Sequence, residues 1–373
     1  MNRSSLVYLN PIWNSSSSED ESEQSSSHTS PSTLTRVCPS MNPRVGYNSS
    51  VIRQLNPSLR KLISSHHISS HCISIDHLIG KGYFGNVYKG RLREGSNYIH
   101  VAVKTLKGDT AFDRIAVDKL MEEASIMVNL NHRNVLSLIG ISISPNGSPC
   151  MILPYIEEGD LRSFISNPLK ILCVMDLVDM AIQVSQGMDY LSNRGIIHRD
   201  LAARNCMISS DRIVRVADFG LAIEIGNTFR DKDNLPSRLP LKWLAPETLR
   251  DRSVFSTHSD VWSFGVLLWE LVSRASSPYS NLSNQSIRGY LETGGRLSQP
   301  LYCPPSLYLI MAKCWRINPL DRPLFSSLYH QLLSLKSSYS YHSPLHINPF
   351  FISVPCGSLT SLYSSPPPSF HSH

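Results

Sequence analysis

The residues His198-Arg199-Asp200-Leu201-Ala202-Ala203-Arg204-Asn205 and, thirteen positions beyond Asn205, Asp218-Phe219-Gly220 hold the side chains best suited to chemistry. Phosphoryl transfer through a loose transition state asks a protein to align a hydroxyl with the γ-phosphorus and to hold metal ions against phosphate charge. Asp200 is the candidate acceptor of the attacking hydroxyl's proton. Asn205 and Asp218 offer hard oxygen ligands to Mg²⁺. Asp-Phe-Gly alone is a weak signal, because any turn can contain it. At this distance from the octet it is a strong one.

Elements that can position these groups lie on both sides. Upstream, Gly80-Lys81-Gly82-Tyr83-Phe84-Gly85 is followed by Val87-Tyr88-Lys89-Gly90 and Val101-Ala102-Val103-Lys104, which read as strands. A dinucleotide-binding glycine loop would run into a helix, so this one joins antiparallel strands. Without side chains at Gly80, Gly82 and Gly85 the backbone can lie over a triphosphate, with Val87 and Ala102 against one adenine face. Lys104 can reach the α- and β-phosphates if a carboxylate holds it. A helical stretch from about 116 to 130 carries Glu122 and Glu123. Glu123 is the expected partner, and Glu122 points about 100° away around the helix.

Leu136–Gly140 and Cys150–Leu153 read as further strands, and Pro154-Tyr155-Ile156 as a connector along the adenine edge, with Leu153 at the depth of the pocket. Beyond Gly159-Asp160 the period becomes helical. A helix from Leu177 to Asn193 ends near Gly195. A second, Asp260 to Leu271, is too apolar all round for a surface, so Asp260 is a buried acid that needs donors from the catalytic loop. Arg322 is expected to pair with Glu247 of Ala245-Pro246-Glu247.

Length and composition fit this plan. A two-lobed domain of about 250–300 residues plus tails fits the domain-size range, and 373 residues with 41% hydrophobic content supply it. The +6 balance of 35 basic and 29 acidic residues contains no basic run, so it argues neither for nucleic acid nor for a polybasic membrane anchor. Eight cysteines without metal spacing suit a reduced setting. No stretch is long and apolar enough to predict a membrane span. Residues 1–70, Ser-rich with scattered prolines, are expected to be disordered. A second tail is expected over 337–373, with Tyr339, Tyr341 and Tyr363 as sites for phosphotyrosine-binding adaptors.

The glycine loop, Lys104, the octet, Asp-Phe-Gly and Ala-Pro-Glu together resemble a eukaryotic protein kinase over about residues 72–333. Ala202-Ala203-Arg204 and Leu239-Pro240-Leu241-Lys242-Trp243 resemble the tyrosine-kinase branch. Asn134-Val135-Leu136-Ser137-Leu138, Leu153-Pro154-Tyr155, Gly159-Asp160-Leu161-Arg162 and Arg204-Asn205-Cys206-Met207 are most similar to the receptor-type kinases of the hepatocyte growth factor receptor (Met/Ron) family. Leu55-Asn56-Pro57 extends that similarity to the juxtamembrane segment.

The resemblance implies an α+β, bilobal protein-kinase fold: a small antiparallel-sheet lobe with one key helix over 72–155, and a larger helical lobe over 159–333. It implies ATP as phosphate donor and Mg²⁺, with Mn²⁺ an alternative, acting on tyrosine hydroxyls of protein substrates. Asp200, Lys104, Glu123 and Arg204 are then the catalytic set and Asn205 and Asp218 the metal ligands. Ile79, Gly80, Gly82, Gly85, Val87, Ala102, Lys104, Leu153, Pro154, Tyr155, Ile156 and Met207 line the nucleotide site. The implied location is cytoplasmic, alone or as the inner part of a plasma-membrane receptor. A serine/threonine or dual-specificity kinase and a non-catalytic nucleotide-binding scaffold are the alternatives.

Two departures stand out. No tyrosine occurs between Asp218 and Glu247, where Phe229 lies near the family's regulatory tyrosines, and Ile223 replaces the arginine that usually follows Asp-Phe-Gly-Leu-Ala. A phosphotyrosine there would need arginine partners, so the two losses agree with activation that does not use one.

Overall fold

The computed structural model describes residues 50–82, 85–107, 113–226 and 240–341. It opens with two helices, α1 (Ser50–Gln54) and α2 (Pro57–Ser65). Asn56 caps α2 by accepting the Ser58 N–H at 3.0 Å, and Pro57 takes the first helical position, where its missing N–H costs nothing. Three strands follow, β1 (Ile73–Lys81), β2 (Gly85–Glu94) and β3 (Asn97–Leu106). Helix α3 (Arg114–Met127), capped by Asp113, precedes β4 (Gly140–Ile143) and β5 (Pro149–Pro154). The five strands form one antiparallel sheet in the order β1-β2-β3-β5-β4.

The register sorts the sheet's two faces. Ala102 lies opposite Leu153, and Lys104 opposite both Val87 and Met151. Val87, Ala102, Lys104 and Leu153 therefore share one face, because side chains alternate along a strand. Val101, Val103, Cys150 and Ile152 form a separate apolar cluster on the other.

The second lobe is built on helices. In chain order they and their short strands are α4 (Leu161–Ser166), α5 (Val174–Asn193), β6 (Ile196–Ile197), β7 (Cys206–Ile208), β8 (Val214–Val216) and β9 (Ile223–Glu224). Then come α6 (Pro246–Arg250), α7 (Thr257–Val272), α8 (Ile287–Glu292), α9 (Pro305–Cys314) and α10 (Phe325–Tyr341). Helix α7 is buried along nearly its whole length and packs against α5 and α9. Gly195, at φ +69°, ends α5 and turns the chain into β6. The antiparallel-sheet lobe and the helical lobe together are the α+β bilobal arrangement of the protein-kinase fold.

Three expectations need correction. Within the stretch read as a disordered tail, α1 and α2 and the link between them bury Ile52, Leu55 and Ile63, and both helices pack on α3. Seventy residues of serine-rich composition hid a short amphipathic window. Second, β4 begins at Gly140; the Leu136 N–H donates to the Val216 carbonyl of the other lobe at 2.8 Å, and the chain rejoins the sheet only where the Ile139 N–H donates to the Ile152 carbonyl of β5 at 2.9 Å. Third, α10 runs through Tyr341, and Tyr339 is half-buried against the core, not part of a free tail. Residues 1–49 and 342–373, Tyr363 among them, lie outside the described residues, as does Phe229.

Candidate active site

Lys104 stands at the inner face of β3. Its Nζ donates to both Glu123 oxygens, at 2.7 and 2.8 Å, and lies 3.6 Å from Asp218 Oδ1. Burial works against the ammonium, but the charges of Glu123 and Asp218 outweigh it and hold the group above its ordinary value. Glu123 is buried and Glu122 exposed, so the helix presents the expected one of the two acids. Lys104 holds the Asp218 carboxyl below the usual carboxylate range, although that side chain keeps 53% of its surface open to the cleft.

The catalytic loop hangs from α7. The Asp260 carboxylate accepts the His198 N–H at 2.7 Å and the Arg199 N–H at 3.0 Å, the donors expected for a buried acid. His198 then joins the two halves of the site. Its Nε2 donates to the Ala217 carbonyl at 3.0 Å, so Nδ1 is the bare nitrogen and accepts the Asp200 N–H at 3.3 Å. One buried imidazole thus fixes Asp200 relative to the residue before Asp218.

Phe219 is buried and its ring sits 5.3 Å from that of His198. Arg204 pairs with Asp200 Oδ1. Burial pushes the Asp200 carboxyl up, and Arg204 only partly offsets it.

The two side chains expected to offer oxygen to a cation are Asn205 and Asp218. Asn205 spends its Nδ2 on the Asp200 carbonyl at 2.7 Å, which leaves Oδ1 as its ligand atom. Asp218 supplies the other. Among the described residues no group of three or more His, Cys, Asp or Glu side chains could hold a metal by itself. A pair of oxygens suits Mg²⁺, which keeps waters and shares phosphate oxygens, so these residues fit the ion.

The positions expected to line a nucleotide are distributed as follows. Val87, Ala102, Leu153, Ile156 and Met207 belong to, or pack against, one apolar cluster. Pro154 closes β5 opposite Val101. Tyr155 is flanked by Lys89, whose Nζ lies 4.4 Å from the ring, and by His100. Ile79 is exposed at the rim of β1.

The glycines, read as equivalent in sequence, differ in space. A Cβ on Gly85 would fall 1.9 Å from the Thr105 carbonyl oxygen, so strand packing alone excludes a side chain there. One on Gly80 would meet only Val87, at 3.7 Å. Tyr83 and Phe84 lie outside the described residues.

Glu270 was missed by sequence reading. It is 1% exposed on α7, and its Oε2 accepts the Ala203 N–H and the Trp243 indole N–H, both at 3.0 Å. The signal that pointed to Asp260, an acid within an apolar helix, applied equally to it.

A lysine clasped by a helix carboxylate, a candidate base and two oxygen ligands between a sheet lobe and a helical lobe define a protein kinase, a transferase that binds ATP. Residues 73–332 match the protein tyrosine and serine/threonine kinase family. The chain belongs to that family. Protein kinases act on protein substrates with ATP and Mg²⁺.

Proposed function

We propose that this chain is a protein-tyrosine kinase, transferring the γ-phosphate of ATP to tyrosine hydroxyls. The observation that carries the reading is the Arg204 guanidinium, which pairs with Asp200 and lies 4.6 Å over the Trp243 ring. A tyrosine hydroxyl sits farther from its main chain than a serine hydroxyl. The peptide must then rest on a platform set back from the base, and we take the Lys242-Trp243 turn as that platform. Lys242 is tethered there by donating to the Tyr279 carbonyl at 2.8 Å.

In this mechanism Asp200 accepts the hydrogen bond and then the proton of the phenol, and its Arg204 partner holds the carboxylate in place. Lys104, oriented by Glu123, binds the α- and β-phosphates. Asn205 and Asp218 would hold Mg²⁺, which when bound would offset charge on the phosphate oxygens. Ile79, Val87, Ala102, Leu153, Met207 and the Pro154-Tyr155-Ile156 connector enclose the adenine, and Gly80, Gly82 and Gly85 bring backbone over the phosphates.

The similarity to the hepatocyte growth factor receptor family extends the proposal to a receptor-type kinase that works on the cytoplasmic side of the plasma membrane. Among the described residues no helix is long and apolar enough to cross a membrane. Adaptor docking on a phosphorylated C-terminal tail belongs to the same reading.

The test is incubation with ATP·Mg²⁺ and either a poly-Glu-Tyr polymer or a serine/threonine peptide. Phosphate on tyrosine is expected, with a loss of about a thousandfold or more in Asp200→Asn, because the aligned base and electrostatics carry most of the rate. Transfer confined to serine or threonine refutes the tyrosine assignment. An Asp200→Asn chain that retains full biological activity points to a scaffold instead.

A further inference from the structure

Helices α9 and α10 leave an open groove of about 480 Å³ between them, a size that can hold a row of peptide side chains. The buried Ile310 and Leu335 form its base, and the exposed side chains of Ser306, Ser327, Ser334 and Ser338 its walls. Positions three and four apart share a helix face, so Leu309, three residues after Ser306 and 61% exposed, stands at the rim. Lys313 Nζ on α9 donates to Gln331 Oε1 on α10 at 2.8 Å, and Gln331 Nε2 donates to Ser327 Oγ at 3.0 Å, which fixes the width. Short serine side chains let an extended main chain come close and offer it hydrogen bonds.

The chain carries a segment suited to this groove. Phe350-Phe351-Ile352-Ser353-Val354, outside the described residues, lies between Pro349 and Pro355 in a stretch, 342–373, that contains no Asp, Glu, Lys or Arg. An uncharged run of aromatic and β-branched residues without an internal proline has the composition that pairs with other chains when left bare. In an extended segment alternate side chains face one way, so Phe350, Ile352 and Val354 share an edge.

The lengths agree as well. Ser338, at one end of the groove, is three residues before Tyr341, where α10 ends. From Ser338 back to Ser327 the helix rises about 16 Å, and five extended residues cover about 16 Å. The link 342–349 reaches about 26 Å when extended, enough to reverse the chain.

We infer that the groove between α9 and α10 is the docking site of this chain's own segment 350–354, which folds back along α10 with Phe350, Ile352 and Val354 toward Leu309, Ile310 and Leu335. Docking also confines Tyr363, nine residues after Val354, to the neighbourhood of the helical lobe.

Hydroxyl-radical footprinting of the full chain, read by mass spectrometry, measures the exposure of single side chains. Phe350 is expected to label about tenfold more slowly in the full chain than in a synthetic peptide of residues 345–356, since a side chain held in a groove meets solvent only through local opening. Ser334→Arg, which fills the groove from an exposed position of α10, should bring Phe350 up to the peptide's rate. Phe350→Asp, which removes the anchor from the tail, should speed the labelling of Leu309 and Ile352.

Equal labelling of Phe350 in the wild-type chain and the peptide overturns the proposal. Slow labelling that survives Ser334→Arg overturns it too, because the segment is then covered elsewhere. So does protection that vanishes on dilution, which would seat the segment on a second copy. If Ser334→Arg fails to fold, Phe350→Asp decides alone, and unchanged labelling of Leu309 in that variant overturns the docking.

Discussion

Glu123 receives the Lys104 ammonium on both carboxylate oxygens, at 2.7 and 2.8 Å, a clasp between the sheet and helix α3. Glu123→Gln keeps the shape but weakens the clasp and frees Lys104 to swing toward Asp218. The expected loss in kcat/KM for ATP is about a hundredfold, the scale of one removed electrostatic contact at a transferring group. ATP titration at saturating peptide measures it, and an unchanged value would contradict the role given to the pair.

The pH dependence of rate and of folding should separate. Asp200 must be ionised to act as a base, and burial raises its carboxyl above the usual range, so activity should fall with pH before ordinary aspartates protonate. Asp218 is shifted the other way by Lys104. Its contribution to stability is present above its unfolded-state value and is lost only as pH drops through the depressed folded one. A kcat profile beside circular dichroism at each pH tests this. Loss of rate and of fold at a single pH would refute it.

Arg322 has a fully buried side chain and meets Glu247 with two bonds, at 2.6 and 2.7 Å. Arg322→Met leaves Glu247 without its partner, and breaking a buried pair from one side costs about 3–5 kcal/mol. Urea unfolding should show that loss, while the KM for ATP in the surviving folded fraction stays unchanged.

Ile63 is fully buried in the apolar cluster that takes in α2 and α3. Ile63→Ala should destabilise the protein by about 2–5 kcal/mol through lost burial and a cavity. Amide exchange should then quicken in α3. Protection that is unchanged there would mean that the helices at 50–65 do not support it.

The start of the activation segment is already held by backbone bonds. Ile223 and Glu224 pair with Ile197 and Ile196, and the Ile225 N–H donates to the Gly195 carbonyl at 2.7 Å. With no tyrosine between Asp218 and Glu247, phosphatase treatment, Thr228→Ala and Ser237→Ala are each expected to leave the rate unchanged. A phosphosite within 221–244 on which activity depends would overturn this.

The sequence by itself determined the residues whose chemistry demands a type at a spacing: Lys104 at a strand end, Asp200 five positions before Asn205, Asp218 ahead of Phe219. It also marked Asp260 and the Arg322–Glu247 pair, since a buried charge requires a partner. Tertiary structure decided what depends on contacts between distant segments. Only packing made Gly85 a strand contact while leaving room at Gly80. Helices α1 and α2 are stable because α3 covers their apolar side, which no composition of their own segment reveals. Glu270 meets Ala203 across a separation of 67 residues. Local propensity carries no information over that range; the fold supplies it by bringing one face of a buried helix against the loop that holds the base.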